Sequence, residues 1–151
     1  MAKEPVKILF VCTGNTCRSA MAAAMMADIA EKNDLNVLVD SAGVFAGIGE
    51  KATPEAVRAM EKRGIDLSGH RTKPLTDELI DMADIILVMT SAHKLLIDAM
   101  AQGKAHTLLE YAGSEGDISD PYGGDDEEYE ETAREIYDAL VDIAEKLPVE
   151  E

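Results

Sequence analysis

Apolar residues recur along this chain in two rhythms, short continuous runs and spacings of three and four, and the two alternate. Residues 6–11, Val-Lys-Ile-Leu-Phe-Val, form a β-branched and apolar run, the pattern of a buried strand. Residues 20–30 are a dense row of Ala, Met and Ile, strong helix material, and the helix read over about 19–32 is apolar on most faces and so should pack on more than one side. A second strand is read over residues 35–40, ending in a turn at Ser41-Ala42-Gly43. Thr53-Pro54-Glu55 starts a helix with a capping hydroxyl, Pro at the first position and an acid in the first turn, and Gly64 stops it. A shorter helix runs from Thr76 to about Ala83.

Residues 84–89, Asp-Ile-Ile-Leu-Val-Met, are the clearest buried strand. Thr90 or Ser91 then caps a helix whose apolar face is predicted to be Leu95, Leu96, Ala99 and Met100, ending at Gly103. Residues 105–109 supply a last, weaker strand. The final helix, over residues 126–147, carries a stripe of Ala133, Ile136, Tyr137, Leu140, Val141, Ala144 and Leu147, expected to dock on the sheet.

Four strands alternating with helices call for a parallel sheet covered on both faces, an α/β fold of three layers, α/β/α. In such folds ligands sit at the carboxyl ends of the strands, so the loop between the first strand and first helix is the place to look for chemistry. At 151 residues, a single domain spanning 1–151 is expected. Hydrophobic content of 46% with 29% charged residues fits an ordinary soluble globule, and no apolar run approaches the ~18 residues of a membrane span. The polar start, Met1 to Pro5, leads directly into a strand and has no signal-peptide character. A cytoplasmic protein is expected.

The formal charge is −16, and from Glu110 onward there are 16 acidic and 2 basic side chains. No basic stripe remains to displace counterions, which argues against nucleic acid as a partner. The acidic end could favour a cationic protein substrate or simply be a solvated face. Both cysteines, Cys12 and Cys17, fall in one loop and do not make a disulfide scaffold.

That loop is Cys12-Thr13-Gly14-Asn15-Thr16-Cys17-Arg18-Ser19. A strand, a Gly-containing loop and a helix joined without a spacer aim unpaired backbone N–H groups and the positive end of a helix dipole into the loop, an anion site. The nucleotide version needs Gly-x-x-x-x-Gly-Lys-Ser/Thr, and this loop has neither that spacing nor a Lys. It offers a thiol and, six residues on, a guanidinium. The helix terminus and Arg18 both favour negative charge, so both should hold Cys12 as a thiolate, and Arg18 can fork onto two phosphate oxygens. A second stretch, Gly116-Asp117-Ile118-Ser119-Asp120-Pro121-Tyr122-Gly123-Gly124, follows the last strand. Pro121 fixes its own φ and restricts Asp120, and the paired glycines allow a sharp turn, so a carboxylate is held on a defined perch.

Cys-x5-Arg-Ser and the late Asp-Pro together resemble the low-molecular-weight protein-tyrosine phosphatase family, and the resemblance covers essentially the whole chain. It implies that Cys12 attacks phosphorus, that the loop Thr13, Gly14, Asn15, Thr16, Cys17 holds the phosphoryl oxygens with Arg18, and that Ser19 stabilises the leaving thiolate. It further implies that Asp120 protonates the leaving group and then activates water. Asp117 is a rival by proximity that lacks the following Pro. By the same resemblance Asn15, Ser41 and His70 hold the loop in shape, Tyr122 lines the entrance, and Cys17 either forms a reversible disulfide with Cys12 or is a plain buried cysteine. No metal and no cofactor are implied, and the partners are phosphorylated proteins met by a monomer.

Within the family, the Cys12–Ser19 loop, Ser41-Ala42-Gly43-Val44-Phe45-Ala46 and Asp120-Pro121-Tyr122-Gly123-Gly124 are similar to the bacterial protein-arginine phosphatases. Many tyrosine-specific members carry a bulky aliphatic where this chain has Thr16. A Thr leaves room and an acceptor for a planar guanidinium, which an Ile would crowd. Gly123, with little aromatic content near Gly47, also suggests a pocket not walled for a phenol ring. Ala20 stands where Pro commonly follows Arg-Ser, and Ala23 where relatives often have Glu, departures that touch helix rigidity more than chemistry. The alternatives are a tyrosine phosphatase of the same fold and a phosphate-binding module without turnover. An arsenate reductase would need further cysteines, and none follows Cys17.

Overall fold

The computed structural model describes residues 4–150; the polar start at Met1 to Lys3 lies outside them. Four parallel strands form one sheet in the order β2-β1-β3-β4. They are β1 (Val6–Cys12), β2 (Val37–Gly43), β3 (Ile85–Val88) and β4 (Ala105–Thr107). The helices are α1 (Arg18–Lys32), α2 (Pro54–Glu61), α3 (Asp77–Met82), α4 (Ser91–Asp98), α5 (Leu108–Tyr111) and α6 (Asp126–Ala144).

The central strand shows why both faces are covered. Successive side chains of a strand point to opposite faces. Ile8, Phe10 and Cys12 of β1 join the cluster built with α1, α2 and α6, whereas Leu9 and Val11 join Ile80 of α3 and Ile97 of α4. The result is the three-layer α/β/α arrangement. The chain leaves β1 towards β2 on one side and returns to β3 on the other, so the crevice at the carboxyl end of β1 is the point where the strand order reverses.

Helix starts follow the sequence closely. Thr53, Thr76 and Thr90 each accept a hydrogen bond from a backbone N–H of the first turn, as does Asp125 at α6. Four details differ from the sequence expectation. The second strand begins at Val37 and continues through Gly43, because β1 reaches Cys12 and pairs Val11 with Ala42 and Cys12 with Gly43; Leu35 instead forms an isolated antiparallel bridge with Val149. The last strand stops at Thr107, whose hydroxyl caps the short α5. On α4 the buried positions are His93 and Ile97, while Leu95 is 72% exposed and Leu96 and Met100 also face outward. Helix α6 lies chiefly on α1 and α2 instead of on the sheet, which buries Tyr129, Ala139 and Ile143 and leaves Val141 at the surface.

Candidate active site

Cys12 is the last residue of β1 and Arg18 the first of α1, so strand and helix together fix the span of the loop between them. The first turn of α1 has no acidic residue, and the residue before it, Cys17, supplies no side-chain cap. Its free N–H groups and dipole therefore face the loop. Around the cleft stand Cys12, Thr13, Gly14, Thr16, Cys17, Arg18, Asp120 and Tyr122, together with Phe45, Gly47 and Glu50. Phe45 corrects one expectation: with Tyr122 it gives the cleft an aromatic rim beside Gly47, where little aromatic content was expected.

The Cys12 sulfur lies 2.9 Å from the Ser19 hydroxyl and 3.4 Å from the Ser19 backbone N–H. Asn15 Nδ2 donates to that same Ser19 oxygen at 2.8 Å, so the hydroxyl hydrogen is free to point at sulfur. Negative charge on Sγ is thus met by two donors.

Asn15 is the structural pivot of the loop. It is fully buried, with φ of 59°, a left-handed conformation that Asn tolerates better than most side chains. Its side chain makes three hydrogen bonds. Nδ2 donates to Ser19 Oγ and, at 3.0 Å, to Ser41 Oγ, while Oδ1 accepts from the Lys73 backbone N–H at 3.1 Å. Its carbonyl accepts from His70 Nε2 at 2.7 Å, which fixes the His70 tautomer with the hydrogen on Nε2. Ser41 and His70, 26 and 55 residues away in sequence, are therefore both brought onto Asn15.

Arg18 is only 4% exposed. Nη1 donates to the Ile118 carbonyl at 2.9 Å, and Nη2 stands 3.6 Å from Asp120 Oδ2. Nε is buried without a hydrogen-bond partner. A buried guanidinium nitrogen left unpaired is costly, and in a cleft lined by free amides it marks a place for an oxygen anion. Ile118 is itself fully buried, and its N–H bonds to the Met89 carbonyl at 2.9 Å, so the end of β3 anchors the late loop. Asp120 Oδ1 accepts from the Tyr122 N–H at 3.1 Å across Pro121, and Gly123, with φ of 84°, completes the turn. The rival Asp117 points elsewhere. Its carboxylate accepts from the Ser91 N–H at 2.9 Å at the start of α4.

Cys17 and Cys12 are both free thiols. Burial, aided by the neighbouring Cys12 and Asp120, pushes the Cys17 thiol up to about 12. Cys17 therefore stays protonated at neutral pH and donates to Asp120 Oδ1 at 3.7 Å.

One residue at the site was not singled out from the sequence. His93 of α4, 5% exposed, places Nε2 2.9 Å from the Thr13 hydroxyl and Nδ1 3.0 Å from the Thr90 hydroxyl. Burial, with the Arg18 charge second, holds its basicity below the ordinary histidine range, so the ring is neutral at pH 7. A lone histidine 80 positions from Thr13 leaves no local pattern to find it by.

Comparison with known proteins fits this geometry. The family described as low molecular weight phosphotyrosine protein phosphatase matches residues 7–151. The chain belongs to that family. It is 48% identical to the protein-arginine-phosphatase of Bacillus subtilis (strain 168) over 144 residues, 93% of this chain and 95% of the relative. Among solved structures it is similar to an arginine phosphatase with a phosphorylated active-site serine in place of cysteine, with a TM-score of 0.90, 46% identity, and coverage of 93% and 95% of the two chains. It is also similar to a low molecular weight protein tyrosine phosphatase from T. tengcongensis, with a TM-score of 0.91, 40% identity, and coverage of 94% and 99%. The chain is accordingly a phosphatase, and among its described residues no helix is long and apolar enough to cross a membrane.

Proposed function

We propose that this phosphatase removes phosphate from phosphoarginine side chains of proteins. Cys12 Sγ attacks phosphorus, the P–N bond breaks, and Asp120 delivers a proton to the departing guanidino nitrogen. A water then attacks the phosphocysteine, Asp120 takes its proton, and the S–P bond breaks with the electron pair returning to sulfur, where the Ser19 donors stabilise it. Arg18 forks onto the phosphoryl oxygens, and the amides of Thr13 to Arg18 meet the remaining charge. Ser41 and His70 act through Asn15 by holding the loop open in this shape.

The observation that carries the phosphoryl reading is the unpartnered, buried Nε of Arg18 in a cleft shared by Cys12 and Asp120. Thr16 favours the arginine version. Its side chain stands on the cleft wall, short enough to admit a planar guanidinium and able to accept from it. Two carboxylates, Asp120 and Glu50, also line the cleft and suit a cationic leaving group. The 48% identity to a relative named for that activity supports the same choice. A phosphotyrosine substrate is the second reading, favoured by the aromatic rim of Phe45 and Tyr122 and by the likeness to the T. tengcongensis tyrosine phosphatase.

The deciding experiment compares kcat/KM on one protein carrying phosphoarginine and on a matched phosphotyrosine peptide, for the native chain and for Thr16→Ile. The native chain is expected to prefer phosphoarginine, and Thr16→Ile to lose that preference by on the order of tenfold to a hundredfold, the scale of a pocket contact between a leaving group and its wall. An unchanged ratio would overturn the role given to Thr16.

A further inference from the structure

We propose that His93 is a positioning residue that turns the hydroxyl of Thr13 into an additional hydrogen-bond donor for the bound phosphoryl group. The inference rests on the reading of the Cys12 loop as a phosphoryl site and goes beyond it by giving a role to a side chain from a separate helix.

Thr90 Oγ1 caps α4 by accepting the His93 backbone N–H at 3.3 Å, and it also meets His93 Nδ1 at 3.0 Å. Two tautomers of the ring are conceivable. With the hydrogen on Nδ1, Thr90 Oγ1 would accept twice and its own hydroxyl hydrogen would be left without an acceptor. With the hydrogen on Nε2, Thr90 donates to Nδ1 and Nε2–H donates to Thr13 Oγ1 at 2.9 Å. Each arrangement leaves one hydroxyl hydrogen over, but the second leaves it on exposed Thr13 in the cleft, where solvent or a bound anion can accept it, and not on half-buried Thr90; the second arrangement therefore holds, and it has a direction. Each hydroxyl or ring passes a donor to the next, and the series ends at Thr13, whose remaining hydrogen has no partner among the described residues.

Thr13 is an exposed residue on the wall of the same cleft as Cys12 and Arg18, directly after the nucleophilic position. A hydroxyl free to rotate would spend part of its time donating to solvent or accepting. With one lone pair engaged from behind by Nε2–H, its hydrogen is turned towards the cleft, and the acceptor the cleft is built for is a phosphoryl oxygen. The ring itself has no freedom to relax: it is buried, flanked by Thr90, and belongs to a helix whose first turn is pinned by the Thr90 cap and by Asp117 on Ser91 N–H.

The test uses inorganic phosphate, titrated calorimetrically into the full chain, because binding is read without any turnover. Thr13→Val removes the hydroxyl at nearly constant shape, and His93→Phe keeps ring volume without a donor. Each is expected to weaken phosphate binding by on the order of tenfold, the scale of one hydrogen bond to a charged acceptor. The double variant should be no weaker than either single one, since both break one series. His93→Gln, whose amide can reach towards Thr13, is expected to bind within about twofold of the native chain, and His93→Asn, too short to reach, to bind like His93→Phe.

Phosphate affinity unchanged in Thr13→Val, or losses that multiply in the double variant, would overturn the proposal. If His93→Phe does not fold, Gln and Asn variants that bind phosphate equally would do the same. A native chain that binds phosphate but leaves phosphoarginine intact would remove the proposed substrate and leave this hydrogen-bond series standing.

Discussion

Single side chains in this site are held by the contacts they cannot do without. Asn15 spends both side-chain donors on Ser19 and Ser41 and accepts from Lys73. Cys17 is the clearest case with a measurable outcome. Its thiol is pushed from 9.0 up to about 12 by burial beside Cys12 and Asp120. Between those two values the unfolded chain has lost the proton that the folded chain keeps, so stability is complete below pH 9 and declines as pH rises towards 12, with a slope near 1.4 kcal/mol per pH unit. In urea titrations at pH 7, 9 and 10.5, Cys17→Ala should lose less stability on going alkaline than the native chain. Parallel losses in the two proteins would show that Cys17 is not the group responsible. Some of this residue-level chemistry was legible in the sequence because it is local: Cys12, Arg18 and Ser19 sit in one short loop, and Pro121 marks Asp120. His93 was not, since its partner lies 80 positions away and nothing in its own neighbourhood distinguishes it from a surface histidine.

At the level of elements, backbone meets backbone closely where β2 passes the loop. Gly43 pairs with Cys12, and the next two residues, Val44 and Phe45, donate to the carbonyls of Cys12 and Thr13 at 3.0 and 2.9 Å. A Cβ on Gly43 would fall 2.5 Å from the Thr13 carbonyl oxygen and 2.9 Å from the Asn15 backbone nitrogen, rigid atoms that cannot swing aside. Gly43→Ala is therefore expected to cost about 1–3 kcal/mol of stability and to lower kcat/KM by more than tenfold, read by urea unfolding and by hydrolysis of p-nitrophenyl phosphate. Gly49, which no atom crowds but which has a φ of 75°, serves as the comparison: Ala there should strain the turn and leave the loop alone. Element existence could be read from hydrophobic rhythm, but facing could not always be. On α4 the series His93, Ile97 and the series Leu96, Met100 both repeat at four, and periodicity alone does not choose between them. The Asp117 bond to Ser91 N–H and the His93 bond to Thr13 decide it, and both are tertiary facts. The missed extension of β2 has a similar origin, since Ser41-Ala42-Gly43 reads as a turn until β1 offers its edge up to Cys12.

Taken as a whole, the molecule carries −16, most of it placed beyond Glu110, where α6 turns its carboxylates outward. Exposed pairs such as Arg58–Asp126 and Lys32–Asp28, at 2.9 Å each, recover little, because water screens the attraction and ordering two long side chains costs entropy. Self-repulsion should outweigh them. The melting temperature is expected to rise as sodium chloride goes from about 10 to 150 mM, where the screening length shortens to about 8 Å, and a fall would mean that the ion pairs dominate. The fold class was readable from the alternation of elements, but the way α6 spans α1 and α2 was not, since that depends on which faces those two leave open. The strand order has one more result. With β1 flanked on both sides, the Cys12 loop is buttressed by the ends of β2 and β3 and by Asn15 whether or not anything occupies it. A socket braced by the fold itself grips the phosphoryl group of an incoming phosphoarginine and the orthophosphate left behind through the same donors, so the fold that speeds the reaction is also expected to make the enzyme sensitive to its own product.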